Sequence, residues 1–346
     1  MDKPSIIYKK VRIKSIAEEV KGFKTFVFEE GHGIQYKAGQ YLTLVQQHGD
    51  EEIRRSYSII SSPAVNELLA IGVKRIENGF FSRQLIDHAS VGDELITTGA
   101  GGFFVLPDDI KNYQTLFFFA AGSGVTPIYS LIKEALLTLP DLLLVLVYSN
   151  ASENKTVFLK ELNALQKKYY GRLIIKFLFS NNSNLLRARL HRDLLVGFVQ
   201  QYSAGNSLFY ICGPESYMRL CIYTLHEIGI RKEHIKKEDF VINKAIKRDA
   251  LPPDKGDYMA YMQLKNEEFK IVVHYPDSIL KAAKKQGISL PYSCEAGRCG
   301  NCVAKCTEGT VWHSYNEVLT EKELEQGLVL TCVGHPVGGD VFLEIK

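Results

Sequence analysis

The sequence lacks an excess of charge, a long apolar run and a scattering of cysteines, and each absence closes off a class of function. Lys and Arg together number 42 against 39 Asp and Glu, a formal net charge of +3. That balance is too mild to argue for nucleic acid, though a basic face could suit an acidic protein partner. The most apolar tract, LFFFAAGSGVTPIYSLI, is broken by glycines and a proline, so no bilayer-spanning segment is expected. The N-terminus, MDKPSIIYKKVRIK, alternates charged and apolar residues and has no apolar core of the kind a secretory signal needs. A cytoplasmic location is therefore the expectation, and with it reduced thiols. Of only seven cysteines, four crowd into CEAGRCGNCVAKC, residues 294–306. In a reducing compartment such a cluster points to metal binding rather than to a disulfide framework.

No internal repeat and no low-complexity tract interrupts the chain, which instead divides into three regions of different periodicity. From Lys9 to about Leu106 run short alternating segments: VRIKSI, FKTFVFEE, YLTLVQQ, RRSYSIIS, LLAIGVKRI and DELITTG. Their spacing, with glycine or acidic turns between them, predicts an antiparallel β-barrel. From about Tyr113 to Val241 the apolar runs become continuous (TLFFFAAG, LLLVLVYSN, LIIKFLFSN, SLFYICGP), each followed by an amphipathic helical stretch. Strands without polar alternation are buried on both faces, so a doubly wound α/β domain with a parallel sheet is expected. The polar segment KAIKRDALPPDKGD, residues 244–257, reads as a linker. Beyond it MAYMQL and FKIVVHY predict a hairpin, and DSILKAAKKQG a helix ended by Gly287. The expected domains are 1–108, 109–243 and 258–346.

The cysteine spacing from Cys294 is C-x4-C-x2-C, through Cys299 and Cys302, with Cys332 following in LTCVG. This is the plant-type pattern for a [2Fe–2S] cluster, in which two irons take four thiolates. Gly297 and Gly300 would let backbone amides approach the sulfurs. A bacterial [4Fe–4S] site would need a first gap of two and a proline after the fourth cysteine, where Thr307 stands. A Rieske centre needs two histidine ligands, and a structural zinc site usually pairs two short knuckles where this chain has one. Cys332 is the better fourth ligand, and Cys306 reads as a small buried residue on the strand leaving the loop. The block Met259–Lys346 resembles the plant-type ferredoxin domain, which implies a β-grasp α+β fold.

The first two regions carry a second resemblance. RRSYSI, residues 54–59, contains R-x-Y-S, and GFFS follows at 79–82. AAGSGVTP, residues 120–127, stands at a strand-to-helix turn where a diphosphate can meet amides at a helix N-terminus, although it fails the G-x-G-x-x-G fingerprint. YICGPESYM adds a C-G-P. Together these are similar to the motifs of the ferredoxin–NADP reductase superfamily. The resemblance implies that Arg55 pairs with a flavin pyrophosphate, Tyr57 lies against the ring and Ser58 sits near N5. It places Val73, Gly79, Phe80 and Ser82 among the flavin-binding residues, with the first amides of a helix at Gly79 meeting the diphosphate and Ser82 adding a donor. It assigns Gly122, Gly124, Thr126, Pro127, Gly213 and Pro214 to the nicotinamide nucleotide, with Cys212 beside the nicotinamide. Glu238 and Phe240, in KKEDF, match a segment that closes over the flavin, although a surface position suits Glu238 equally. Cys221 reads as core, and His191, His226 and His234 have no partner at metal spacing.

The order of flavin barrel, nucleotide domain and ferredoxin resembles the reductase component of a multicomponent oxygenase, most closely the phenylacetyl-CoA oxygenase (epoxidase) type. It implies an enzyme passing electrons from NAD(P)H through FAD, with FMN the lesser alternative, and a [2Fe–2S] cluster to an external acceptor protein. A desaturase or haem protein as acceptor, or a redox-sensing iron–sulfur flavoprotein, are the rival readings. YSNAS and FSNNS, where relatives that choose NADPH carry cations, have none, which leans toward NADH; Arg187 and Arg189 follow a few residues on.

Overall fold

The computed structural model describes residues 8–49, 51–203, 205–240 and 251–345. The first region forms six strands, β1 (Lys9–Val20), β2 (Phe23–Phe28), β3 (Tyr41–His48), β4 (Glu51–Ser58), β5 (Ala70–Lys74) and β6 (Glu94–Gly101), with helix α1 (Phe80–His88) between the last two. They make one sheet in the order β4-β3-β6-β1-β2-β5. A bridge between Ile59 and Ile71 joins its two edges, so the sheet closes on itself as the alternating runs predict. Phe26, Phe28, Leu42, Leu44, Ile59, Ile71 and Val73 fill the interior.

The second region contains β7 (Thr115–Ala121), α2 (Val125–Thr138), β8 (Leu143–Asn150), α3 (Leu159–Lys168), β9 (Leu173–Phe179), α4 (Leu185–Ala188), α5 (Arg192–Tyr202), β10 (Ser207–Cys212), α6 (Glu215–Glu227) and β11 (Ile235–Glu238). The sheet is parallel throughout, in the order β11-β10-β7-β8-β9. Its continuous apolar runs serve two cores at once. Leu116, Phe118, Leu144 and Leu146 pack on one face, and Phe117, Phe119, Val145 and Val147 on the other. The order reverses between β7 and β10, and the crevice at their C-terminal ends is where such sheets bind ligands. Residues 9–100 and 104–240 form one compact unit.

The second unit holds residues 251–345, with Tyr8 and Gly101–Phe103. Its elements are β12 (Tyr258–Leu264), β13 (Glu267–Val273), α7 (Ile279–Lys285), β14 (Val303–Glu308), β15 (Val311–His313), α8 (Glu321–Glu325), β16 (Leu328–Leu330), β17 (Gly334–Pro336) and β18 (Val341–Ile345). The main sheet is mixed, in the order β13-β12-β18-β14-β16, with β12 and β18 parallel. The expected hairpin and helix are both present. The Ser278 side chain caps α7 by accepting from the Lys281 amide, and Gly287 follows its end at φ +72°. Of the expected linker, 251–257 carries no helix or strand, and 244–250 lies outside the described residues. Among the described residues no helix is long and apolar enough to cross a membrane.

Candidate functional sites for flavin, nucleotide and cluster

In the barrel, β4 alternates across the sheet, so Arg55 and Tyr57 share one face. Arg55 is exposed and donates to the Arg54 carbonyl at 2.7 Å, which leaves its other nitrogens available for a phosphate. Tyr57 packs on Phe81 with ring centroids 6.1 Å apart, and burial pushes its phenol well up. Ser58 is buried at the strand end, and Val73 is fully buried on β5.

Gly79 precedes α1, and a Cβ there would come within 2.6 Å of Ser82 Oγ, so the turn into the helix requires glycine. Ser82 differs from the expectation of a free donor. Its hydroxyl donates to the Gly79 carbonyl at 3.2 Å and accepts from the Ile76 amide at 3.1 Å, so it holds the turn together. Phe80 stands exposed and, with Arg83, Gln84 and His88, lines a cavity of about 330 Å³. An exposed aromatic ring beside a guanidinium can take a base and a phosphate. The motif reading did not single out Arg83 and His88, which lie five residues apart on α1 beyond GFFS.

In the parallel sheet the predicted nucleotide residues converge at the switch point. Gly122 adopts φ +55° with open space where a Cβ would be, which leaves the backbone approachable. Gly124 answers a different demand: a Cβ there would lie 2.1 Å from the Cys212 carbonyl oxygen, so the loop after β7 abuts the end of β10. Thr126 donates to the Ser123 carbonyl at 2.8 Å, and Pro127 sits in the first turn of α2, where no helical N–H is lost. Gly213 and Pro214 lead from β10 into α6, with Pro214 at the cap position.

Cys212 is paired in register with Glu238, the last residue of β11. Burial pushes the Cys212 thiol well up, and the neighbouring Glu238 and Asp239 add to this. Glu238 is not the surface residue that its charged surroundings allow. Its carboxyl is pushed up to about 8 by burial, and Oε2 is buried without a hydrogen-bond partner. Asn150 Nδ2, at the end of β8, is likewise buried and unpartnered. Buried polar atoms left unsatisfied at the mouth of a parallel sheet fit a ligand that supplies the missing partners. Phe240 is exposed beyond β11.

In the second unit, the Cys294 thiol lies close enough to Cys299 and Cys332 to interact with both, and Cys332 with Cys302 as well. Four thiols are thus gathered, three from one loop and one from the segment after β16. Cys306 is elsewhere. Its sulfur donates to the Glu308 carbonyl at 3.2 Å, and it is half-buried rather than in the core, at a register irregularity of β14. No group of three or more His, Cys, Asp or Glu among the described residues is set to grip a single ion. A two-iron cluster asks for a different arrangement, with each iron taking two thiolates.

Gly297 and Gly300 adopt φ +71° and +75°, and a Cβ on Gly297 would lie 2.7 Å from the Tyr315 carbonyl oxygen. Asn301, between two of the cysteines, keeps Nδ2 buried and unpartnered. A donor in that state fits a group rich in sulfur acceptors beside it. The sequence offered no indication of it.

The comparisons agree with this geometry. The chain matches the oxidoreductase FAD-binding domain family over residues 9–105, the oxidoreductase NAD-binding domain family over 118–222 and the 2Fe-2S iron-sulfur cluster binding domain family over 262–337. It is 31% identical over 349 residues to a component of the 1,2-phenylacetyl-CoA epoxidase of Escherichia coli (strain K12), covering 96% of each chain. It is 30% identical over 348 residues to the ferredoxin reductase component of 3-ketosteroid-9-alpha-monooxygenase of Mycolicibacterium smegmatis, covering 96% of this chain and 95% of that one. Phthalate dioxygenase reductase shares the fold over 98% of both chains, with a TM-score of 0.60 at 21% identity. Matched by these three domain families in turn and by these relatives over nearly its whole length, the chain belongs to the ferredoxin–NADP reductase superfamily, as an oxygenase-reductase oxidoreductase with FAD-binding, NAD-binding and C-terminal [2Fe–2S] domains.

Proposed function

We propose that this chain is the reductase component of a multicomponent oxygenase of the phenylacetyl-CoA epoxidase type, drawing electrons from NADH and delivering them singly to the oxygenase component. The observation that carries the reading is the gathering of Cys294, Cys299, Cys302 and Cys332, with Cys306 left outside. When bound, the cofactors would supply the redox chemistry, hydride acceptance at the flavin and one-electron transfer at the cluster.

The chain's own residues bind and orient. Arg55, Gly79, Phe80 and Ser82 shape the flavin diphosphate end, while Tyr57 and Ser58 bound the ring and Val73, fully buried in the barrel interior, supports the sheet behind them. Gly122, Gly124, Thr126 and Pro127 present the nucleotide loop, and Cys212, Gly213 and Pro214 close it from β10. Glu238, held neutral near pH 7 by burial, can hold a proton at the end of β11 without placing a charge beside the nicotinamide. Phe240, exposed just beyond β11, is free of core packing and available to a ligand.

The preference for NADH is supported by the strand ends. Residues 149–153 and 180–183 contain no Lys or Arg, so a 2′-phosphate there would lack charge-assisted hydrogen bonds. Arg187 and Arg189 are exposed beyond β9 as the available alternative. Four thiols read as cluster ligands suit a reducing, cytoplasmic setting.

Anaerobic titration with NADH, then with NADPH, followed by visible and EPR spectra, tests the reading. Flavin bands should bleach while a rhombic [2Fe–2S] signal grows, at lower concentrations of NADH than of NADPH. A bleached flavin beside an unreduced cluster would overturn the order of electron flow. Reconstitution with the epoxidase oxygenase component should support turnover of phenylacetyl-CoA. Turnover only with a ketosteroid oxygenase would transfer the chain to that system.

A further inference from the structure

Helix α2 begins directly after the nucleotide loop, and one stripe of it is polar where it meets the flavin barrel. The stripe is Thr126, Ser130, Lys133 and Glu134, at helical spacing. Facing it is the barrel loop 60–67. Ser130 Oγ donates to the Ser61 carbonyl at 2.5 Å. Glu134 accepts from Ser62 Oγ at 2.5 Å and from the Ala64 amide at 3.3 Å. Lys133 pairs with Glu67, whose same oxygen accepts the Ser62 amide at 2.7 Å. Ser61 is itself fixed within the barrel, accepting from Tyr36 Oη at 2.8 Å and from the Ala70 amide at 3.0 Å. At the end of the stripe Gly72 leaves no room for a side chain: a Cβ there would lie 2.8 Å from Thr126 Cγ2.

Ser61, Ser62 and Ser130 are fully buried and Lys133 nearly so. Burying so many polar groups gives no clear gain in stability over an apolar interface of the same size. What directional bonds do provide is register: an apolar seam can slide, whereas this one is satisfied in one arrangement. The seam also lies between the two cradles. Gly72 adjoins Val73 of the flavin set, and Thr126 belongs to the nucleotide loop. Hydride transfer requires reacting atoms about 3–3.5 Å apart, and a displacement of about 1 Å can cost two orders of magnitude.

We propose that this buried polar seam fixes the separation of flavin and nicotinamide, with Glu67, Lys133 and Glu134 as positioning residues for hydride transfer. The proposal rests on the reading of the unit as an NADH-to-flavin reductase and adds to it which residues set the geometry.

The test is stopped-flow reduction of the purified, FAD-loaded protein by NADH, together with the long-wavelength charge-transfer absorbance that marks a nicotinamide stacked on a flavin. The variants are Glu134→Ala and the paired Lys133→Met/Glu67→Gln, which removes both charges and so leaves neither buried alone. Each should slow the limiting rate about tenfold or more and weaken the charge-transfer band, while the Kd for NADH moves less than about twofold and FAD content stays full. Glu134→Gln, which keeps an acceptor, should recover most of the rate. Gly72→Ala, a wedge inserted without touching any charge, should slow the rate in the same way and serves should the other variants fold poorly. Variants that melt lower yet reduce the flavin at the wild-type rate would overturn the proposal. A wild-type protein that NADH does not reduce would overturn the underlying reading, and the proposal with it.

Discussion

The cysteine loop of the second unit and the crevice of the parallel sheet are assembled in opposite ways. In the loop, Cys294, Cys299 and Cys302 come from one short stretch, and only Cys332 arrives from a distance. In the crevice, Gly124 follows the end of β7 while Cys212 and Glu238 end β10 and β11, and Cys212 shapes or is shaped by both of the others. Gly124 must lack a side chain because the Cys212 carbonyl is there, and Cys212 is pushed further up because Glu238 is paired beside it. A loop whose thiols adjoin in sequence owes its arrangement mainly to its own residues. A crevice made by convergence does not.

The hardest test of this contrast is in the loop. Cys332→Ser should abolish the cluster, read as lost iron and lost EPR signal, while Cys306→Ser should retain it. The opposite result would mean that Cys306 ligates and that the single distant contribution is unnecessary. Next in size is the effect on electron flow. Without the cluster, ferricyanide reduction by NADH should remain largely intact while cytochrome c reduction stops, because ferricyanide can be reduced from the flavin unit alone. Equal loss of both would show that the two units do not act in series.

The crevice should yield to a single methyl group. Gly124→Ala places a Cβ against backbone rather than against a movable side chain, so the loop or the end of β10 must shift. We expect a loss of about 1–3 kcal/mol of stability by thermal or urea melting. We also expect slower flavin reduction, with the cluster of the second unit unaffected.

A further effect concerns pH. Glu238 is pushed up to about 8 in the folded chain by burial, whereas in the unfolded chain it ionises in the ordinary carboxylate range. Its contribution to stability is therefore full below that range and lost as pH rises toward about 8, with a slope of at most about 1.4 kcal/mol per pH unit. Glu238→Gln should flatten this part of the stability profile. A variant whose profile matches the wild type would show that the carboxyl is ionised throughout.

The sequence was most legible where structure is local. Alternation in FKTFVFEE and its neighbours foretold an antiparallel sheet, and unbroken apolar runs such as TLFFFAAG foretold strands buried on both faces. The GFFS segment gave the start of α1. It did not reveal that Ser82 spends its hydroxyl on the turn, because the Ile76 amide becomes its neighbour only when the turn forms. KKEDF left Glu238 equally suited to the surface, and only its pairing with β10 buried the carboxyl.

By itself the sequence determined the three kinds of sheet, their order along the chain and the spacing of the first three thiols. Each of these is written in residues that adjoin, where periodicity and loop length act directly. The tertiary structure alone decided that Gly124 yields to the end of β10, that Glu238 buries a carboxyl oxygen beside Cys212, and that α2 is joined to the barrel by Glu67, Lys133 and Glu134. Each of those depends on the burial and partners of a side chain, and these are set by segments far away in the chain that meet only on folding.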